Sequence, residues 1–479
     1  MSFDKSFLSH FIVIGSGTIV NMLLGLLTTP IITRIVNPNE YGQLSIFNMY
    51  TNIAVMVLCI GLDQALVRFF YEKKETGYKR GLFKVCFWMP FFISMFCVSF
   101  LIILAYMGVI TLEFSTNIIC LLGLNIIFHI WNRFSILLLR ITYQSKKYSM
   151  CNVLQKFVYV GLALFLVNMV KADYLFLLIL STISSVFISS VFAVFSTRDL
   201  WKFWDSEKLL NKKQIIGFGI PFIFSMGLTT LFQAIDKISL NHYCSYTEVG
   251  IYSSAMTLVH VFAIIQSTFN TLWGPMQIEH YTMYPEDKSF FQKGNQMITV
   301  IMFFIGVHLI LLKDVFAFIL GAEYRKAAYI FPFLIFNPIM YTISETTCAG
   351  ISISKKSYLN IFVSLGACVT NILGNILLVP SLGSSGAAIS TGVSYIVFFA
   401  LRTIFSNKYY YVNYNMKKFI IITITTILYA CYNTFFQFGI FSIVGYIICI
   451  SIFFLLYYNT IKQGIFILKR QFRKMKNKN

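Results

Sequence analysis

Apolar residues in this chain fall into long uninterrupted runs, and polar residues into short clusters between them. The runs cover roughly 9–33, 43–65, 82–110, 116–139, 149–170, 173–196, 214–235, 248–272, 295–320, 327–350, 357–379, 383–405, 416–436 and 438–460. A helix crossing the hydrocarbon core of a bilayer needs about 20 mostly apolar residues, and only helices or closed barrels satisfy their backbone there. The runs are too long for barrel strands. The pattern predicts an all-α polytopic membrane protein of about 14 transmembrane helices with short connections. The first run follows Asp4 and Lys5 without a small-residue cleavage motif, so it reads as a retained helix.

Composition agrees. Of 479 residues 57% are hydrophobic and 12% charged, with mean hydropathy +0.74, against about 25% charged in soluble domains. The net charge of +20 is placed unevenly. With the expected spans both termini lie on one side, and Lys and Arg favour that side by roughly five to one, which marks it as cytoplasmic. The expected location is the bacterial inner membrane. The basic tail, 461–479, suits an anionic lipid surface and not nucleic acid. The ten cysteines have neither disulfide-framework nor zinc spacing. No phosphate-binding glycine loop is present, and no loop pairs a nucleophile with a base, so the chain reads as non-enzymatic and needs no cofactor.

Two short signatures recur. Glu40-Tyr41-Gly42 is echoed by Glu248-Val249-Gly250, and Ser145-Lys146-Lys147 by Ser354-Lys355-Lys356, at offsets of 208 and 209 residues. Both echoes join corresponding runs, which implies two parallel six-helix bundles, 1–197 and 214–405, around a central cavity. An amphipathic cytoplasmic linker, 198–213, carries Trp201, Phe203 and Trp204 between them. Transmembrane helices 13 and 14 (406–460) and the tail lie outside the repeat.

The ordered set Thr28-Thr29-Pro30, Arg34, Glu40-Tyr41-Gly42, Gly61-Leu62-Asp63 and Arg68 resembles the start of the polysaccharide flippase (Wzx) family. So do Gly219-Ile220-Pro221, Asp236-Lys237, Val249-Gly250-Ile251-Tyr252 and Trp273-Gly274-Pro275, then Ile353-Ser354-Lys355-Lys356, Asn371, Asn375, Pro380 and Gly386-Ala387-Ala388. That family sits within the multidrug/oligosaccharidyl-lipid/polysaccharide exporters. The resemblance implies a flippase that moves polyprenyl-pyrophosphate-linked oligosaccharide repeat units outward for O-antigen or capsule assembly. It admits a polysaccharide polymerase and a chain-length regulator as further partners. A multidrug antiporter and a lipid II flippase of the same superfamily are rival readings. A repeat-unit polymerase is disfavoured by the short outer connections.

Charges inside spans need a partner or a wet cavity. His129, Arg133 and Arg140 share one face of the fourth span, a cationic stripe suited to pyrophosphate. The repeat relates that face to Glu345, so His129, Arg133 and Glu345 are expected to look into one cavity, with Arg140 at its inner edge. His260 and Asn270 are candidate sugar contacts. Asp63 and Arg68 at the inner end of the second span are expected to pair with each other or with a neighbouring helix. Arg34 and Asp236-Lys237 at outer ends are expected to form a gate or a surface ion pair. Proton or sodium coupling through Asp63, Asp236 or Glu345 stays open, and Arg402 reads as one of the inner-side loop charges.

Overall fold

In the computed structural model, residues 24–108, 114–169, 173–207, 212–260 and 262–476 are described. The helices are α1 (Leu24–Thr33), α2 (Pro38–Leu58), α3 (Leu62–Phe69), α4 (Thr76–Tyr106), α5 (Thr116–Ile141), α6 (Ser145–Met169), α7 (Tyr174–Ser196), α8 (Lys212–Tyr243) and α9 (Tyr246–Val259). They continue as α10 (Phe262–Met283), α11 (Ser289–Leu311), α12 (Lys313–Ile319), α13 (Ala327–Leu334), α14 (Phe336–Thr347), α15 (Ala349–Ile353), α16 (Leu359–Asn407), α17 (Met416–Phe435) and α18 (Ile440–Lys476). No strand occurs among the described residues.

Ten of these helical segments are long and apolar enough to cross a membrane, or eleven with the bent pair α2–α3. The expected count of fourteen is therefore not reached by length alone among the described residues, and three features account for the difference. The first run lies mostly outside the described residues. The eighth is split between α9 and α10. The eleventh and twelfth form one 49-residue helical stretch, α16.

At about 1.5 Å per residue such a stretch would be more than twice the hydrocarbon thickness. It folds back instead. Gly383 has φ 56° and ψ −134°, a conformation open to glycine alone. The arms on either side run together, with Asn371 Nδ2 donating to Thr391 Oγ1 at 3.3 Å and Gly374 lying against Ser390. Glu248, at the start of α9, accepts from the backbone N–H of Ser384 (3.1 Å) and from its hydroxyl. The repeated Glu-x-Gly signature is thus, in this half, the cap of a helical hairpin.

The chain forms two compact units, one of residues up to Thr28 with Asn39–Ala234, the other of Thr29–Pro38 with Ile235–Asn479. In the first, α5 and α7 are the inner helices. Asn125 donates to Thr51 (3.0 Å) and Asn132 to Ser190 (3.1 Å), the polar contacts that join helices where lipid offers no hydrophobic drive. By contrast α4 turns Phe92, Phe96, Phe100 and Ile103 outward. After α7 the chain makes two 3₁₀ turns, Arg198–Trp201 and Phe203–Asp205. Trp201 packs edge-on against Phe83 and Phe87 (4.8 and 5.0 Å between ring centroids), and Arg80 binds Asp205 and the Asp199 carbonyl. Trp204 is 84% exposed, as expected of a residue at a bilayer interface. Residues 208–211 of the expected linker lie outside the described ones.

In the second unit α13–α14 is central, with 83% of its apolar window buried. Segment 29–38 is docked here: Gly321 N–H donates to Thr33 Oγ1 (3.1 Å) and Tyr324 Oη to the Val36 carbonyl (2.9 Å). Lys313, fully buried, donates to the carbonyls of Asn433 and Phe436 at the end of α17, where a cation offsets the helix dipole. The last helix continues past the membrane-length stretch to Lys476, so most of the basic tail is helical.

The bend of 52° between α2 and α3 rests on Gly61, whose φ is 65° and whose added Cβ would strike the Gly219 carbonyl of α8. Gly108 has a similar φ, but no described residue lies within 4 Å of an added Cβ. Gly61→Ala is expected to lower the thermal midpoint in detergent by several degrees more than Gly108→Ala. The latter carries only the left-handed strain of about 1–2 kcal/mol. Equal shifts would mean that the contact with α8 contributes nothing.

Candidate functional site

Three carboxylates organise the membrane-embedded polar groups. In the first unit Asp63, at the start of α3, lies beside Arg133 of α5. Arg133 donates through Nε (3.0 Å) and Nη2 (2.5 Å) to Asp63 Oδ2, which also accepts from Gln64 (3.1 Å). Asp63 is 5% exposed and Arg133 34%. Two of the five guanidinium N–H groups are engaged, so the remainder can still meet an anion. The carboxylate offsets the cost of holding the cation in hydrocarbon.

Of the two expected partners, Arg68 and a neighbouring helix, Asp63 takes the second, through Arg133 of α5. Arg68 is exposed and faces Glu72 one helical turn on, at 3.9 Å. His129 is half-buried one turn before Arg133, and Arg140 is exposed at the end of α5. His129, Arg133 and Arg140 thus lie along one helix, α5, with the charge of Arg133 already paired to Asp63.

In the second unit Glu345 of α14 accepts from Arg402 of α16 (Nη1–Oε1 2.8 Å), and the same Nη1 donates to Ser344 Oγ (2.8 Å). Tyr341 and Phe398 stack on one another beside the guanidinium, their centroids 5.8 and 5.6 Å from Arg402 Cζ. Trp273 Nε1 donates to the Glu345 carbonyl (3.1 Å). Glu345 therefore has its own cation, and Arg402 is a buried residue of the hairpin, not a loop charge. Its Nε is buried with no partner among the described residues.

The third carboxylate, Asp236 of α8, is 5% exposed and has no cation within ion-pair distance among the described residues. It accepts from Tyr252 Oη (2.5 Å), Thr391 Oγ1 (2.5 Å), Asn375 Nδ2 (2.8 Å) and Asn371 Nδ2 (3.1 Å). The amide oxygen of Asn375 is buried and has no partner among the described residues. Asp236 thus points into its own unit. The surface ion pair expected between Asp236-Lys237 and Arg34 does not occur among the described residues: Lys237 is half-buried, and Arg34 donates to the backbone instead. Sequence reasoning missed this network, although Asn371 and Asn375, four apart in an apolar run, signal one polar helix face.

The remaining candidates are scattered. Arg34 is exposed and donates to the Ile319 carbonyl (3.4 Å). His260 is exposed at the break between α9 and α10. Asn270 is half-buried on α10, its amide oxygen without a partner among the described residues. No group of three or more His, Cys, Asp or Glu side chains able to hold a metal ion occurs among the described residues.

The family model described as "Polysaccharide biosynthesis protein" matches residues 7–279. The chain belongs to that family. Solved structures extend the comparison beyond the matched region, to as much as 95% of the chain. The lipid II flippase MurJ in an inward closed conformation is 14% identical, covering 95% of this chain and 100% of its own, with TM-score 0.70. A multidrug resistance MATE family transporter of the MOP superfamily is 13% identical in its inward-facing conformation, covering 81% and 94%, with TM-score 0.57. Its outward-facing conformation gives 14%, 84%, 95% and 0.53. The fold of this family member is therefore the MurJ/MATE fold. No curated protein matches the chain.

Breaking a buried ion pair leaves an uncompensated charge, at a cost of about 3–5 kcal/mol, whereas replacing both members can be neutral. Glu345→Gln is expected to lower the thermal midpoint, and Glu345→Gln with Arg402→Met to recover most of that loss. Additive losses in the double variant would show that the two side chains act independently.

Proposed function

We propose that this protein is a flippase translocating polyprenyl-pyrophosphate-linked oligosaccharide repeat units from the cytoplasmic to the outer leaflet, for O-antigen or capsule assembly. The observation that carries the reading is the family membership of a chain with the MurJ/MATE fold. Arg133, partly exposed and with unused donors, supplies the chemistry, since a guanidinium binds phosphate oxygens bidentately. Alternating access between two units removes most of the cost of carrying sugar and phosphate through hydrocarbon, while the polyprenyl tail stays in the bilayer. Moving two uncompensated negative charges outward is favoured by roughly 4–5 kcal/mol per 100 mV, inside negative. A polysaccharide polymerase and a chain-length regulator would receive the product.

Asp236 supports ion coupling better than Asp63 or Glu345, because those two already hold an arginine. Its donors are neutral and rotatable, and its shell is all oxygen and amide. Such a set can release hydrogen bonds to accept a proton or a hard monovalent cation.

Two outcomes test these readings. In a host lacking the gene, wild type is expected to restore surface polysaccharide. Arg133→Ala, present at normal levels, should leave lipid-linked units on the inner side, and Arg133→Lys should restore only part. Display of single repeat units without long chains would point to a polymerase, and unchanged polysaccharide with altered drug sensitivity to a drug antiporter. In proteoliposomes, wild-type transport should respond to an imposed proton or sodium gradient and Asp236→Asn should not. A gradient response that survives in Asp236→Asn would move coupling elsewhere.

A further inference from the structure

A second polar site lies away from the intramembrane charges. At one end of the first unit a cavity of about 460 Å³ opens between the turn after α3, the start of α4, the end of α5 and the 3₁₀ turn after α7. Two tyrosines stand at it, Tyr71 and Tyr143, with ring centroids 6.1 Å apart and planes inclined at 39°. They are 50% and 59% exposed. Neither is loosely placed. Tyr71 Oη donates to the Ile141 carbonyl at 2.5 Å, which holds its ring against the end of α5.

Tyr143 occupies the residue just past α5 with φ 58°, where glycine or asparagine is the strain-free choice. The turn is closed by Gln144 N–H to the Leu139 carbonyl (2.9 Å) and would form equally well around glycine. A tyrosine kept in that conformation holds an aromatic face at the cavity, and strain of this kind gathers at functional sites.

The rest of the lining is hydrogen-bonding and of both charges. Gln144 donates to Thr142 Oγ1 (3.2 Å), and its amide oxygen is buried without a partner among the described residues. Asp199 and Lys79 place a carboxylate and an ammonium at the same cavity. The hydrogen bond from Lys202, at 3.1 Å, holds the Asp199 carboxyl below the usual range, so it is ionised at neutral pH.

Aromatic faces with an unpaired acceptor, hydroxyls and charges of both signs match a polyhydroxylated ring. They do not match a phosphate, which would meet the carboxylate, or an acyl chain, which would bury the polar groups unpaired. We propose that this cavity binds a saccharide ring of the glycan headgroup, a docking site separate from Arg133, with Tyr71 and Tyr143 as the stacking faces and Gln144 as a hydrogen-bonding partner. The proposal rests on the flippase reading for the identity of its ligand.

The test uses the full chain in nanodiscs and, as probe, the repeat-unit oligosaccharide of the host's polysaccharide released from its carrier by mild acid. Binding is followed by titration calorimetry. Tyr143→Gly and Gln144→Leu are each expected to weaken binding roughly threefold to tenfold. Tyr143→Gly should do so without lowering the thermal midpoint, since glycine relieves the strain. Wild-type affinity in both variants would overturn the site and leave an interfacial aromatic pair. Binding of the intact lipid-linked unit but not of the released oligosaccharide would overturn the site alone, leaving the translocation reading in place. Failure of both ligands to bind would count against both.

Discussion

The cost of placing charge in hydrocarbon governs this structure. Each of the three buried carboxylates meets it, and not in the same way. Asp63 and Glu345 each take an arginine from another helix of their own unit, Arg133 and Arg402. Asp236 takes four neutral donors instead. An ion pair is satisfied as it stands and resists change. A carboxylate held by hydroxyls and amides has no counter-charge of its own, which is the basis of the coupling role proposed for Asp236. The same constraint that stabilises the bundle thus divides its carboxylates into two ion pairs and one group held by neutral donors alone.

Backbone polarity imposes the second demand, since a helix may break within the membrane only where something satisfies the freed groups. At the turn of α16 that partner is the carboxylate of Glu248, which caps the returning arm at Ser384. At the end of α17 it is the buried ammonium of Lys313. The bend at Gly61 depends on the absence of a side chain, because α8 passes too close for a Cβ. Charged and glycine residues that look alike in sequence therefore serve unlike ends: some close the backbone, others hold an ion pair or admit a close-passing helix.

Hydrophobic run length made the helices legible, because the bilayer sets one length for every crossing. Their exact breaks were less so: one long helical stretch and a split at residue 260 arise from local geometry that composition does not carry. Single charges such as Arg133 and Glu345 were legible as anomalies in apolar runs. Their partners were not, since Asp63 lies 70 residues from Arg133 and Arg402 lies 57 from Glu345. Arg402 was hidden by its place near the end of a run, where a basic residue ordinarily marks the cytoplasmic side. Asp236 was obscured in the same way, by a place at the outer end of its run that suggested a gate or surface pair with Arg34, while its donors are polar side chains up to 155 residues away.

The most direct test of the account is the leaflet distribution of the lipid-linked repeat unit in proteoliposomes containing the purified protein, read by an impermeant oxidant that attacks only outward-facing sugars. The account expects the oxidised fraction to rise beyond the outer-leaflet share of protein-free vesicles until nearly all units are reached, with Arg133→Ala holding it near the protein-free level. An oxidised fraction that wild-type protein leaves unchanged would contradict translocation of this substrate.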